Sequence, residues 1–460
     1  MWERWLGAAT ARRLVPQHGS GQTLWVKRER AVESKQDEGL RRDIGFGGSA
    51  FLSFNGIVGA GIFALPGTLF LQFGTFSPWL FPIFGLLILI VALPFARLAS
   101  HFPGSGGPAA YAAVYGPAAS FQAGWLYYVA RVTALAANSN VFATYAATLW
   151  PPIGEGVGRV VTILLLCALL TFINMVGVKR AIRALDLLTL LKGLPLLILA
   201  IWALAASDMI PAPGPLPEIG QFEAAALLVL YAFIGFENSV VPAGETANAQ
   251  RTIPRALLAT IIATACLYFL IQLAYVSVMP AGAPADAPLV AFGTLLAGPT
   301  GALLITAAAL SSVMGNVSAG LTSTSRVTFA LANRDLLPRW FGIVSERYRT
   351  PANSILFMGL LVALLAISGS FVWLAVVSTL ARLFVYSISI ASLPPAERAS
   401  GKPAGAAIFL LMIPALGICL WAALQSDWAA WRMLLILLML GLLLYVVARR
   451  QAVRRARAQP

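Results

Sequence analysis

The sequence is a succession of apolar runs, each long enough to cross a lipid bilayer as a helix. About 17–25 residues suffice for this, and the chain contains twelve apolar runs of about this length or longer. They lie at residues 46–73, 78–98, 119–149, 158–178, 185–206, 222–242, 256–279, 301–331, 353–368, 371–392, 404–424 and 431–447. Only 11% of the residues are charged, against about 25% in soluble proteins. The pattern therefore predicts an all-α membrane protein with twelve transmembrane helices.

Basic residues concentrate in every second connection between these spans. They are Arg41, Arg42, Lys179, Arg180, Arg183, Arg251, Arg255, Arg334, Arg339, Arg347, Arg349, Arg398, Lys402, Arg449, Arg450, Arg454, Arg455 and Arg457. Cytoplasmic loops are the ones enriched in Lys and Arg, so we expect a multi-pass protein of the cell (inner) membrane with both termini in the cytoplasm. The net charge of +14 then needs no nucleic-acid partner.

The two ends of the chain are polar. Residues 1–43 are mixed in charge and lack the apolar core of a secretory signal peptide. They are predicted to form a disordered cytoplasmic tail, and an over-extended gene start is the alternative. Residues 449–460 are predicted to be a basic cytoplasmic tail.

The first span carries three glycines and an alanine between Asn55 and Phe63. Glycine costs about 1 kcal/mol against alanine inside a helix, and loose backbone at membrane depth must be wrapped in protein or line a cavity. A second such stretch, Tyr231 to Asn238, lies in the sixth span. Two interrupted spans in matching positions indicate the binding site of a secondary transporter. Close helix packing through Gly56 and Ala60, four residues apart, is the alternative.

An interrupted helix presents free peptide groups to a ligand. The N–H groups where the first span resumes suit a carboxylate, whereas carbonyl groups near Asn55 to Ile57 and before the second break suit an ammonium group. A zwitterion with both groups on one carbon, an α-amino acid, fits between them. Aromatic side chains beside the breaks are candidate gates, and Tyr127 and Tyr386 are weaker ones. The predicted substrate-binding residues are Ile57, Gly59, Ala60, Gly61, Tyr231, Phe233, Ile234 and Phe236.

Several motifs, in order, resemble the amino acid–polyamine–organocation (APC) superfamily. They are Gly56 to Phe63, Pro103 to Gly107 with Tyr111, Phe233 to Glu237, Glu245 to Asn248, Ile253 to Ala256, Ser325-Arg326, Leu337-Pro338 and Thr350-Pro351. The resemblance covers residue 44 to the tenth span and implies an amino acid permease with alternating access and a leucine-transporter-like fold. The family usually has Pro after the asparagine of the sixth loop, whereas Ala249 follows Asn248 here.

The spacing of the two interruptions predicts a 5+5 inverted repeat. Spans 1 and 6 are the interrupted helices, and an odd number of helices per repeat makes the second repeat enter from the opposite side. The first repeat is placed at residues 44–206 and the second at 207–392. Helices 11 and 12, at 393–448, fall outside both.

Four ionisable residues lie at membrane depth, where such groups are costly and usually functional. Glu237 is a candidate proton carrier or gate, and the alternative is a carboxylate fixed by hydrogen bonds to loose backbone. In related antiporters for basic amino acids an acid stands at this position. Lys192 is a candidate for proton coupling, since proton-coupled relatives place a lysine there in place of a sodium ion. Its alternative is a side chain that snorkels to the surface. The candidate roles of Arg131 are pairing with Glu237, binding of an acidic substrate and a structural role. Arg382 has the same candidate roles.

Other classes of function find less support. His18 and His101 are far apart, and the three cysteines lie inside apolar spans, so no metal site and no cofactor are predicted. A membrane enzyme would need a nucleophile–base pair or metal ligands at membrane depth, and the sequence offers neither. We therefore expect a proton-coupled amino acid permease. An exchanger of amino acids or amines is the first alternative, and an amino acid sensor without turnover is the second.

Overall fold

A computed structural model describes residues 42–102, 107–177, 193–207, 210–280, 282–283, 286–399 and 405–458. Within these ranges the chain is helical, and the strand-like pairing is confined to one isolated bridge between Ile44 and Thr246. The α-helices are α1 (Phe46–Ile57), α2 (Gly61–Phe73), α3 (Ser77–His101), α4 (Pro108–Ala112), α5 (Pro117–Ala147), α6 (Gly156–Val176), α7 (Gly193–Ala206), α8 (Ile219–Tyr231), α9 (Ala249–Val278), α10 (Pro288–Asn333), α11 (Ala352–Ser368), α12 (Phe371–Ala391), α13 (Leu393–Ala399), α14 (Ala406–Leu424) and α15 (Trp428–Ala458).

Eight helical segments of the described residues are long and apolar enough to cross a membrane, and α7 and α11 are shorter apolar helices. Many of their large apolar side chains face outward, such as Leu165, Leu410 and Ile436, each more than 60% exposed. Apolar surface of this extent is compatible with hydrocarbon rather than with water. The protein is therefore a multi-pass membrane protein.

The first and sixth predicted spans are each divided. The backbone leaves the helix after Ile57 and resumes it at Gly61. In the sixth span, α8 ends at Tyr231 and is followed by irregular backbone and short 3-10 turns at Phe236–Ser239 and Ala243–Glu245.

Long helices surround these two divided spans. Helix α5 packs against α10 and α12, and α9 packs against α3 and α1. The 24 buried residues of α5 occupy all sides of the helix from Ser120 to Ala146, as expected for the centre of a bundle. Helix α5 is therefore enclosed by other parts of the protein on all sides.

Two helices extend beyond their predicted bounds. Helix α10 begins at Pro288, ahead of the predicted span at 301, because a kink at Ala297 and Gly298 joins a shorter helix to the main one. Gly298 has φ +57° there, a value that glycine adopts readily. Helix α15 runs through Ala458, so the predicted basic tail at 449–460 continues the last span as helix through that residue.

Candidate functional site

The first break leaves the start of α2 with free peptide N–H groups. The N–H of Gly59 turns back to the carbonyl of Ile57 at 2.9 Å, and the N–H of Phe63 is bonded to the carbonyl of Ala60 at 3.1 Å. Among the described residues, the intervening N–H groups of Ala60, Gly61 and Ile62 have no backbone acceptor. This is the usual state of a helix N-terminus, here at buried positions.

The second break depends on one glycine. After Tyr231 the N–H of Phe233 is bonded to the carbonyl of Leu230 at 2.9 Å, and the chain then turns at Gly235 with φ +114°. An L-residue rarely adopts this angle. The carbonyl groups of Phe233 and Ile234, just before the turn, accept no hydrogen bond from the described residues.

The two breaks touch each other through glycine. A Cβ atom built on Gly56 would lie 2.3 Å from the carbonyl oxygen of Gly235, and one built on Gly235 would lie 2.3 Å from the carbonyl oxygen of Gly56. A Cβ on Gly61 would lie 3.3 Å from the Cα of Ala232. Backbone therefore meets backbone here, and the two spans approach as closely as they do because neither carries a side chain at the contact.

Amide side chains connect the first break to α5 and α10. The Asn316 Nδ2 donates to the carbonyl oxygen of Asn55 at 2.8 Å, and the Asn138 Nδ2 donates to Asn316 Oδ1 at 2.8 Å. The Tyr231 hydroxyl donates to Asn138 Oδ1 at 3.0 Å. A Cβ on Gly59 would touch both amides at 3.4–3.6 Å. The amides thus fix the positions of both breaks.

Glu237 lies beyond the second break and is fully buried. Its carboxylate accepts hydrogen bonds from the guanidinium of Arg382, from the Tyr386 hydroxyl at 2.9 Å and from the N–H of Gly235 at 3.1 Å. The ion pair is buried on both sides, with 1% of Arg382 exposed. Arg382, and not Arg131, is thus the arginine that the structure pairs with Glu237.

The predicted substrate-binding residues are all buried, but they face different ways. The side chain of Phe236 packs edge-on against Phe95 of α3, with ring centroids 5.8 Å apart. Phe233 lies 5.8 Å from Tyr268. Both aromatic rings therefore pack against neighbouring helices, that of Phe236 against α3 and that of Phe233 against α9. Tyr231, in contrast, reaches across to α5.

The carbonyl groups proposed for an ammonium ion are partly occupied by the protein. Ile57 accepts from the Tyr268 hydroxyl at 3.3 Å as well as from the N–H of Gly59. Asn55 accepts from Asn316. A carbonyl oxygen has two lone pairs, so these groups retain limited capacity, whereas Phe233 and Ile234 offer more. Lys192, the other predicted coupling residue, lies outside the described residues.

The two buried amides Asn138 and Asn316 were not predicted from the sequence. The signal was available, because an asparagine inside an apolar span must find hydrogen-bond partners in the protein. Tyr127 was considered as a gate; its hydroxyl donates to Asn238 Oδ1 at 3.2 Å. Among the described residues, groups of three or more His, Cys, Asp or Glu that could hold a metal ion are absent.

Two divided helices that meet in a membrane bundle are typical of membrane transporters. A sequence profile of the amino acid permease family matches residues 44–395. This is more than three quarters of the chain, so the protein belongs to the amino acid permease family and is a transporter rather than an enzyme.

Individual relatives are similar over much of their length. The chain is 28% identical to the serine/threonine exchanger SteT of Bacillus subtilis, over 70% of this chain and 76% of SteT. It is 27% identical to the branched-chain amino acid permease BcaP of the same organism, over 90% and 94%. It is also 29% identical to the L-methionine/branched-chain amino acid exporter YjeH of Escherichia coli, over 50% and 55%.

Proposed function

We propose that the protein carries an amino acid across the membrane by alternating access and that the substrate binds between the two breaks. The observation that carries this proposal is the close contact of Gly56 with Gly235, which brings two unwound segments to one buried place. The free N–H groups of Ala60, Gly61 and Ile62 are suited to the α-carboxylate. The carbonyl groups of Phe233 and Ile234 are suited to the ammonium group.

We also propose that two successive segments of five helices each, residues 44–206 and 207–392, form the inverted repeat predicted from the sequence. The placement of both interruptions at the first helix of each half supports it. In this arrangement both termini face the cytoplasm of the inner membrane, in keeping with the distribution of arginine.

Proton coupling is proposed for Glu237 and Lys192. The buried carboxylate of Glu237 is paired with Arg382 and bonded to the second break. Its protonation would change the charge of the site and weaken the hydrogen bond that it accepts from the N–H of Gly235. The substrate site and the proton site would then share one segment of backbone. Lys192 enters the proposal from the sequence alone.

An exchanger is the second candidate, and the similarity to a serine/threonine exchanger favours it. Purified protein in liposomes separates the alternatives. Counterflow of a labelled amino acid is expected for both a permease and an exchanger, whereas net uptake driven by a pH gradient, with no amino acid inside, is expected only for the permease. A protein that binds amino acids without any counterflow would be a sensor, and the transport proposal would be wrong.

A further inference from the structure

Arg131 is a buried cation beside the breaks that the proposed mechanism does not use. It lies near the middle of α5, fourteen residues after Pro117, and only 3% of its surface is exposed. Among the described residues, its Nε has no hydrogen-bond partner and no ion pair joins it to a carboxylate. Leaving a buried charge without a partner is costly, so the arrangement calls for an anion.

The face of α5 that carries Arg131 points to the proposed substrate site. Tyr127, Arg131, Ala134 and Asn138 follow one another at helical spacing and share one face. Tyr127 is bonded to Asn238 after the second break. The carbonyl of Ala134 and the amide of Asn138 both accept from the Tyr231 hydroxyl, at 3.4 and 3.0 Å. Arg131 lies between these contacts.

The guanidinium of Arg131 lies against α10. A Cβ built on Gly320 would lie 3.1 Å from Arg131 Nη2. Gly320 is one helical turn from Asn316, the residue bonded to the first break, and one turn is about 5–6 Å along the helix axis. The absence of a side chain at Gly320 leaves room for the guanidinium beside α10, one turn from the residue that is bonded to the first break.

The charge balance of the site requires a negative ligand. Helices α1, α2, α5, α10 and α12 contain no Asp or Glu. The described site therefore holds the two cations Arg131 and Arg382 against the single carboxylate of Glu237, which is already paired with Arg382. A neutral zwitterion would leave this excess positive charge in place, whereas an amino acid with a net charge of −1 would cancel it.

We propose that Arg131 binds the side-chain carboxylate of the substrate and that the protein transports acidic amino acids. This assignment rests on the proposed function, because it places the α-carboxylate and the ammonium group at the two breaks. Arginine presents planar paired donors that match a carboxylate. Arg131 is then the residue that determines specificity, and Glu237–Arg382 remains a separate pair.

The test is counterflow in liposomes with labelled glutamate, aspartate, glutamine, serine and leucine. For the wild-type protein, counterflow of glutamate or aspartate is expected to be at least tenfold faster than counterflow of glutamine. In Arg131→Gln the rate of glutamate counterflow is expected to fall about tenfold or more, as the loss of a hydrogen bond between charged groups would cause. The rate of glutamine counterflow should stay the same or rise. Arg131→Lys should retain part of the glutamate rate. Arg432→Gln, which removes an exposed arginine of α15 outside the motifs, is the matched control and should behave as wild type.

Each other outcome contradicts the assignment in a distinct way. Counterflow of neutral but not acidic amino acids by the wild type would overturn the role of Arg131 and leave the transport proposal standing. If counterflow of every amino acid falls equally in both folded Arg131 variants, Arg131 is a gating or structural residue. No counterflow of any amino acid by the wild type would remove the transport proposal and this one with it. If Arg131→Gln fails to fold, the wild-type substrate panel together with Arg131→Lys decides.

Discussion

The contact between the two breaks predicts that Gly235→Ala is severely destabilising. Alanine at φ +114° is strained by about 1–3 kcal/mol. Its methyl group would also lie 2.3 Å from the carbonyl oxygen of Gly56, and relief of such overpacking costs about 1–3 kcal/mol. Together we expect a loss of about 2–6 kcal/mol. This is a large fraction of the 5–15 kcal/mol typical of a folded protein.

The assay is thermal unfolding of the detergent-purified variant together with counterflow in liposomes. Gly417→Ala is the matched control, since Gly417 lies inside α14 and a Cβ there meets nothing within 4 Å. It is expected to unfold at or slightly above the wild-type temperature because alanine is the better helix former. If Gly235→Ala unfolds at the same temperature as Gly417→Ala and transports at the wild-type rate, the two breaks do not depend on this contact.

Three further predictions concern the same site. Gly59→Ala places a methyl group in ordinary contact with the amides of α5 and α10 at 3.4–3.6 Å; it should fold as wild type but raise the substrate concentration needed for half-maximal uptake, and unchanged uptake kinetics would place the substrate elsewhere. Glu237→Gln leaves Arg382 buried and unpaired, which costs about 3–5 kcal/mol; thermal unfolding of the double variant with Arg382→Gln should show less loss than the two single variants combined, and strict additivity would deny the pairing. Lys192→Ala should abolish the stimulation of uptake by an inward proton gradient, and a pH dependence equal to that of the wild type would remove Lys192 from the coupling proposal.

The positions of both interruptions follow from short-range sequence features. Glycines at 56, 59 and 61 weaken the helix locally, and the sixth span carries Gly235 in a comparable setting. That these breaks meet at Gly56 and Gly235 could not be read from the pattern, because the two residues are 179 positions apart. Only the packing of the intervening helices brings them together.

The choice of partner for Glu237 was also beyond the sequence. Arg131 and Arg382 both lie deep in apolar spans, and residue type alone cannot tell which helix turns its arginine toward the second break. The rotation of α12 brings Arg382 and Tyr386, one turn apart, onto the carboxylate. The rotation of α5 leaves Arg131 between Tyr127 and Asn138 instead.

Side-chain direction limits the prediction of the aromatic gates. Tyr231 and Phe236 were selected because they flank the second break. The unwound backbone between them changes the direction in which successive side chains point, so Tyr231 reaches α5 while Phe236 packs against Phe95 and Tyr386. Helical periodicity cannot be extrapolated across such a break.

A substrate-bound structure determined by cryo-electron microscopy tests the central proposal most directly, with the amino acid chosen from the counterflow panel. We expect its α-carboxylate within hydrogen-bond distance of the N–H groups of Ala60, Gly61 and Ile62, and its ammonium group beside the carbonyls of Phe233 and Ile234. Density for the amino acid at any place that touches neither break would contradict the proposed transport site.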